Sequence, residues 1–153
     1  MDFMKYALVE AEKAMEAEEI PVGAIVVKDG IIIGRGYNQK EKKSNPTEHA
    51  EIIAIREACS NIGDWRLNGC EMYVTLEPCP MCAGAILQSR ISRLYIGTFN
   101  KDMGACGSVV NLVDNRRLNS FVNVIWTYDE RCSDILKKFF DLKRNGILQK
   151  RRV

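Results

Sequence analysis

The sequence predicts a three-layer α/β/α domain, with a mixed central sheet of about five strands and helices on both faces. Two observations carry that expectation. Val22 to Lys28 and Ile31 to Tyr37 are apolar, β-branched runs separated by Asp29-Gly30, the dipeptide that best suits a tight hairpin with positive φ. Beyond them short strand-like and helix-like runs alternate, and parallel strands need such crossovers. The scale agrees: 153 residues, 46% hydrophobic and 27% charged, suit one domain over 1–153 that buries roughly two-thirds of its unfolded surface. Nothing marks a domain boundary, with four prolines and no repeat or low-complexity tract.

The elements follow in order. Residues 3 to 18 place Met4, Leu8, Ala11 and Met15 at helical spacing with acids between them, an amphipathic helix that stops before Pro21. The hairpin comes next, then a polar loop rich in Lys and Asn. Asn45-Pro46-Thr47-Glu48 reads as a helix start, with a capping side chain, proline in the first turn and Glu near the third position. That helix runs to about Cys59. Met72 to Leu76 is a short strand, Pro80 to Gln88 a helix opened by proline, and Ile91 to Gly97 another strand. A glycine-containing stretch from Met103 to Ser108 begins a long connection to a strand near Val122 to Trp126. The last helix covers about Glu130 to Arg144, with Ile135/Phe139 and Leu136/Phe140 four residues apart.

Composition excludes several function classes. No apolar run approaches the roughly 20 residues of a membrane helix, and the acidic, broken stretch from Met1 to Glu19 lacks the basic start and apolar middle of a signal peptide. A cytoplasmic protein with no membrane partner is expected. Six cysteines (Cys59, Cys70, Cys79, Cys82, Cys106, Cys132) are too few for a disulfide scaffold of this length, so in a reducing compartment the interesting ones bind metal or react. The lone histidine, His49, excludes any mechanism that needs two. The net charge of +2 is unevenly spread. From Lys137 to Val153 seven basic residues (Lys137, Lys138, Lys143, Arg144, Lys150, Arg151, Arg152) face only Asp141, a net +6 that leaves −4 for the remainder. Such an end suits a polyanion met from one edge, and equally the ordinary preference of cations for a helix C-terminus.

Two motifs carry chemistry, both at strand-to-helix junctions where α/β sheets form sites. The first is His49-Ala50-Glu51, in the opening turn of the second helix. Residues two apart on a helix diverge by about 200°, so His49 and Glu51 share a site only if it lies over the helix end. The second is Pro78-Cys79-Pro80-Met81-Cys82. Cysteines with two residues between them can grip one tetrahedral metal, and a helix N-terminus favours their thiolate forms. Taken alone, the pair is half of a structural zinc site, a redox pair, or two ligands of a catalytic zinc. The redox reading is weakened by the late position of the motif, and a structural site needs a fourth ligand from Cys59, Cys70, Cys106 or Cys132, none of which forms a second close pair. Together the motifs supply three ligands, His49, Cys79 and Cys82, and leave the fourth zinc position open to water, the catalytic pattern. Two thiolates and a neutral imidazole cancel the metal's charge, and Glu51, beside a ligand but not one itself, is placed to take a proton from that water.

At these residues the sequence resembles the zinc-dependent nucleoside and nucleobase deaminase superfamily, whose signature is H-x-E with P-C-x-x-C. Within it the chain resembles the bacterial tRNA-specific adenosine deaminases. The likeness runs through Pro21-Val22-Gly23-Ala24, Asn45 to Glu51, Thr75 to Ala85, Ser89-Arg90-Ile91 and Gly104 to Ser108, and covers nearly the whole chain. It implies a cytidine-deaminase-like fold, one Zn²⁺ per subunit held by His49, Cys79 and Cys82, and Glu51 as proton shuttle. It also implies that Asn38 hydrogen-bonds the target base and that Ala50 lines the same site. Asn100 is a departure, standing where many relatives carry Asp near the substrate backbone. Glu77 belongs to the signature block, where a loop-structuring role is as open as a catalytic one.

The reaction implied is hydrolytic: zinc-bound hydroxide attacks C6 of adenine at the wobble position of a tRNA anticodon, Glu51 protonates N1 and then the departing amine, and inosine remains. A stacked base is out of reach, so the adenosine must be splayed from a loop, as in an anticodon stem-loop. Lys137, Lys138, Lys143 and Arg144 then become candidates for phosphate contacts, and the family implies a homodimer. Two rivals stand beside this reading. One is a deaminase of free guanine, cytosine or a nucleotide; the other is a zinc-stabilised RNA-binding module, in which Glu51 would be dispensable.

Overall fold

Asp29 and Gly30 both take positive φ, 49° and 77°, so the hairpin closes as the dipeptide demands. In this computed structural model, which describes residues 1–148, it joins β1 (Gly23–Lys28) to β2 (Ile31–Tyr37). The other elements are α1 (Met4–Glu16), α2 (Ala50–Ile62), β3 (Glu71–Val74), α3 (Pro80–Gln88), β4 (Arg93–Ile96), β5 (Asn123–Trp126) and α4 (Glu130–Arg144). The sheet has five strands in the order β2-β1-β3-β4-β5. β1 runs antiparallel to both β2 and β3, whereas β3, β4 and β5 are parallel. One edge of the sheet therefore gathers Gly23, Tyr37, Val74, Ile96 and Trp126, and every segment of the site leaves from that edge.

Alternation along the strands separates two apolar layers. Ala24, Val26, Met72, Val74, Leu94 and Ile96 face α2 and α3, packing with Ala50, Ala54, Ala58, Ala83 and Ile86. Ile25 and Val27 face α1 and α4 with Met4, Ala7, Leu8 and Cys132. Large buried side chains such as Ile25, Leu94 and Ile96 each contribute about 1.5–3 kcal/mol by leaving water. The alanine face of α2 lies flush on β2 because β2 offers glycines there. A Cβ on Gly36 would stand 2.2 Å from the Ala50 carbonyl oxygen, and one on Gly34 2.3 Å from that of Ala54. The start of α2 is thereby fixed against the sheet.

The expected three layers and five strands are present; β2 has the expected bounds, whereas β3 and β4 are shorter than the apolar runs suggest. The start of α2 is a correction. Asn45 does not cap it: its Oδ1 accepts from the Thr47 N–H and Thr47 hydroxyl, closing a local turn, and Pro46 lies in that turn. The helix begins at Ala50, with His49 as its N-cap residue. At its other end it passes Cys59 and stops at Gly63, whose φ of 69° is the left-handed exit that glycine supplies. Among the described residues no helix is long and apolar enough to cross a membrane.

Candidate metal centre and active site

His49 and Cys79 are the N-cap residues of α2 and α3, both in extended backbone conformation. Outside the helix proper, His49 is released from the 100° helical step, which removes the geometric objection to its sharing a site with Glu51. Pro80 opens α3 and Cys82 follows in its first turn. His49 Nδ1 lies 3.6 Å from Cys79 Sγ and 3.5 Å from Cys82 Sγ, and the three donor atoms are all within 4.8 Å of one another. A tetrahedral zinc with ordinary Zn–S and Zn–N bonds sets nitrogen and sulfur about 3.6 Å apart. The donor set therefore fits zinc in kind and in spacing. The α3 N-terminus favours thiolate here, and Cys79 is pulled down to about 4, chiefly by the hydrogen bond from the Cys82 thiol and, against its burial, by His49.

Glu51 lies in the first turn of α2, 3% exposed, and its Oε1 is buried with no hydrogen-bond partner among the described residues. Burial holds its carboxyl above the usual carboxylate range. A buried carboxylate oxygen left without a partner is costly and points to something it is built to meet. Together these residues provide three metal donors and one unpaired proton acceptor.

Glu77 is fully occupied by the loop that follows β4. Its Oε1 accepts from the Asn100 N–H and the Ser108 hydroxyl, and its Oε2 from the N–H groups of Cys106 and Ser108. The Glu77 N–H also donates to the Thr98 carbonyl, and the Ala105 N–H to that of Pro78. The stretch 98–108 is thus bound to the residues immediately before Cys79 and walls the site. Gly104 is required there, because a Cβ would approach Ser108 Oγ to 2.1 Å and Glu77 Oε1 to 2.4 Å.

Asn38 follows β2 at the site edge. Its Nδ2 donates to the Ile20 carbonyl and its Oδ1 accepts from the Lys40 N–H, which leaves one N–H and one lone pair unused. The neighbouring Gln39 N–H bonds the Glu48 carbonyl, tying this corner to the segment that delivers His49. Ala50 is buried between His49 and Glu51. Asn100 turns its Oδ1 onto the Asp102 and Met103 N–H groups, so only its Nδ2 is left for a substrate.

The expected basic residues are not brought to the metal centre. Lys137, Lys138, Lys143 and Arg144 are exposed on α4, which packs on the opposite face of the sheet from α2 and α3; Arg144 is also paired with Asp141. Lys150, Arg151 and Arg152 lie outside the described residues. Among the described residues a cation that does approach is Lys40, close enough to act electrostatically on His49. Its loop carries Lys42 and Lys43 as well, and buried Glu19 pins the turn by accepting from the Glu41 and Lys42 N–H groups. A run of three lysines in four residues was the available signal in the sequence.

The comparisons with known proteins agree with this geometry. The model of the cytidine and deoxycytidylate deaminase zinc-binding region matches residues 1–98. A tRNA-specific adenosine deaminase of Aquifex aeolicus is 45% identical over 148 residues, 95% of this chain and 97% of its own length. A solved structure from a study of A-to-I editing by tRNA:A34 deaminases superposes with a TM-score of 0.84 at 42% identity, covering 88% of this chain and 98% of the other. The guanine deaminase of Bacillus subtilis is more distant, 33% identical with a TM-score of 0.62, covering 99% and 97%. The chain belongs to the zinc-dependent cytidine and deoxycytidylate deaminase family, among its tRNA-specific adenosine deaminases.

Proposed function

We propose that this single-domain enzyme hydrolyses adenosine to inosine at the wobble position of a tRNA anticodon. The observation that carries the reading is the convergence of three zinc donors, His49, Cys79 and Cys82, with the orphaned Oε1 of Glu51. Zinc held there supplies a Lewis acid that brings the ionisation of water near neutrality. Glu51 takes the proton that water loses and gives it to N1 of adenine, then takes the proton of the hydroxyl newly bonded to C6 and passes it to the exocyclic nitrogen as the C6–N bond breaks. Adenosine and water thus become inosine and ammonia, with Glu51 returned to its starting state.

Asn38 presents its unused N–H and lone pair to the base edge, and Ala50 packs beside it. Asn100 offers a neutral Nδ2 where a carboxylate would repel a phosphate. The exposed cations of α4, Lys137, Lys138, Lys143 and Arg144, are assigned to the RNA backbone. A second copy of the chain completes the enzyme; large exposed apolar residues, Met81, Met103, Val109, Val110, Leu118 and Phe121, support a subunit contact. The substrate class and six cysteines outside any disulfide support a cytoplasmic setting.

The test is incubation of purified protein with an anticodon stem-loop carrying a wobble adenosine. Inosine should accumulate. Conversion of free guanine or cytosine with no reaction on this RNA would refute the assignment.

A further inference from the structure

Three aromatic rings stand together at the site edge of the sheet. Phe99 and Trp126 have centroids 4.8 Å apart at 34°, Trp126 and Tyr128 6.2 Å apart at 21°, and Phe99 and Tyr128 5.7 Å apart. Phe99 is 50% and Tyr128 64% exposed, while Trp126 is half-buried. Tyr128 is turned out by a φ of 50°, a conformation that bulky side chains seldom adopt. Its neighbours hold it there: the Thr127 N–H bonds the Ile96 carbonyl and the Asp129 N–H that of Gly97.

This cluster is continuous with the active site. Phe99 sits between Thr98 and Asn100, both hydrogen-bonded to Glu77, and Glu77 is two residues, about 7 Å of extended chain, before the zinc ligand Cys79. A Cβ on Gly107 would lie 3.8 Å from the Trp126 ring, so the wall held by Glu77 also abuts the indole. The carboxylate next to Tyr128, Asp129, is neutralised by Arg131 2.6 Å away. The other large exposed apolar side chains of the 103–121 stretch are mostly aliphatic, whereas these three are aromatic, with the Trp126 and Tyr128 planes 21° apart and Phe99 tilted 34° to Trp126 and 55° to Tyr128.

We propose that Phe99, Trp126 and Tyr128 form a stacking ledge for a nucleotide flanking the adenosine in the deaminase site. The inference rests on the RNA-editing reading given above and adds a second contact to it. A base drawn out of a loop exposes its neighbours, and an unstacked base gains by lying on an aromatic face whatever its identity. The occupant is therefore single-stranded RNA next to the target, and the ledge acts in binding, without touching the reacting atoms.

The test uses the stem-loop with 2-aminopurine replacing a nucleotide that flanks the wobble adenosine, mixed with zinc-loaded protein. The parent protein should quench the fluorophore. Phe99→Leu and Tyr128→Leu, which keep apolar bulk and lose the ring, should each relieve quenching and raise KM roughly 5- to 100-fold, with kcat at saturation kept within about twofold. Phe99→Trp and Tyr128→Phe should restore both readouts, which a purely structural role does not predict. Inosine formation with unchanged KM and quenching in the leucine variants would overturn the ledge and leave the deaminase reading intact. Quenching by the parent without inosine would do the reverse. Loss of zinc or of the dimer in the leucine variants would assign the rings to the fold or to a subunit contact, and would also overturn the proposal.

Discussion

Glu51 and Glu77 are buried carboxylates of one active-site region put to opposite uses. Glu77 spends every acceptor on Asn100, Cys106 and Ser108, while Glu51 keeps one oxygen unpaired. Glu77→Gln puts an amide N–H against backbone donors, and should cost about 2–3 kcal/mol of stability, the scale of a lost charge-assisted hydrogen bond and the donors it orphans. Urea unfolding measures this, and an unchanged midpoint would show that the wall does not depend on the carboxylate. The two acids stand alike in the sequence, each beside a zinc ligand. Only a long-range contact, Glu77 with residues 23 to 31 positions onward, tells them apart. Asn38 was equally silent: read from local sequence it is a residue leaving a strand, and its candidate role came from family resemblance alone.

Elements that announce themselves locally were legible: the Asp29-Gly30 turn, the proline at the start of α3, and the 3.6-residue period of α1 and α4. The start of α2 was not, because Asn45 can cap a helix or close a turn of its own, and the turn wins where Gly36 and Gly34 fix α2 against the sheet. Gly36→Ala should therefore push back the end of α2 that carries His49. A stability loss of about 1–3 kcal/mol is expected, with weaker zinc retention on dialysis against a chelator. Retention equal to the parent's would contradict this coupling. On the other face, Arg131 bonds Asp2 and Asp129 and so clasps the N-terminus to the start of α4. Hydrogen bonds from Arg131 hold both carboxyls below the ordinary range. Lowered values give stability that is full above about pH 4 and lost as pH falls through them. Arg131→Ala should lower the stability slightly at pH 7, by less than about 1 kcal/mol for so exposed a cluster, a deficit that thermal unfolding reads and that should shrink below pH 4. A deficit constant from pH 7 to pH 3 would exclude the clasp.

At the scale of the whole molecule, the sheet gathers onto one edge the ends of five strands that begin far apart in the chain. The zinc triad was legible because its spacing is local to two helix starts. The Lys40–Lys43 loop is silent in the sequence because a lysine run reads as solvated surface, and the Glu19 carboxylate that holds its turn lies 22 residues before Glu41. The proposed backbone contacts of α4 have this loop as their alternative. Neutralising Lys137, Lys138, Lys143 and Arg144 should weaken stem-loop binding and lower the slope of log K against log salt by nearly 1 for each phosphate that they neutralise. An unchanged slope would leave the backbone to the lysine loop. The central claim is an open zinc centre whose only proton carrier is Glu51. Its most direct measurement is zinc content alongside single-turnover inosine formation in Glu51→Ala: the account predicts one zinc per chain with turnover lost by several orders of magnitude, and full turnover in that variant would contradict it.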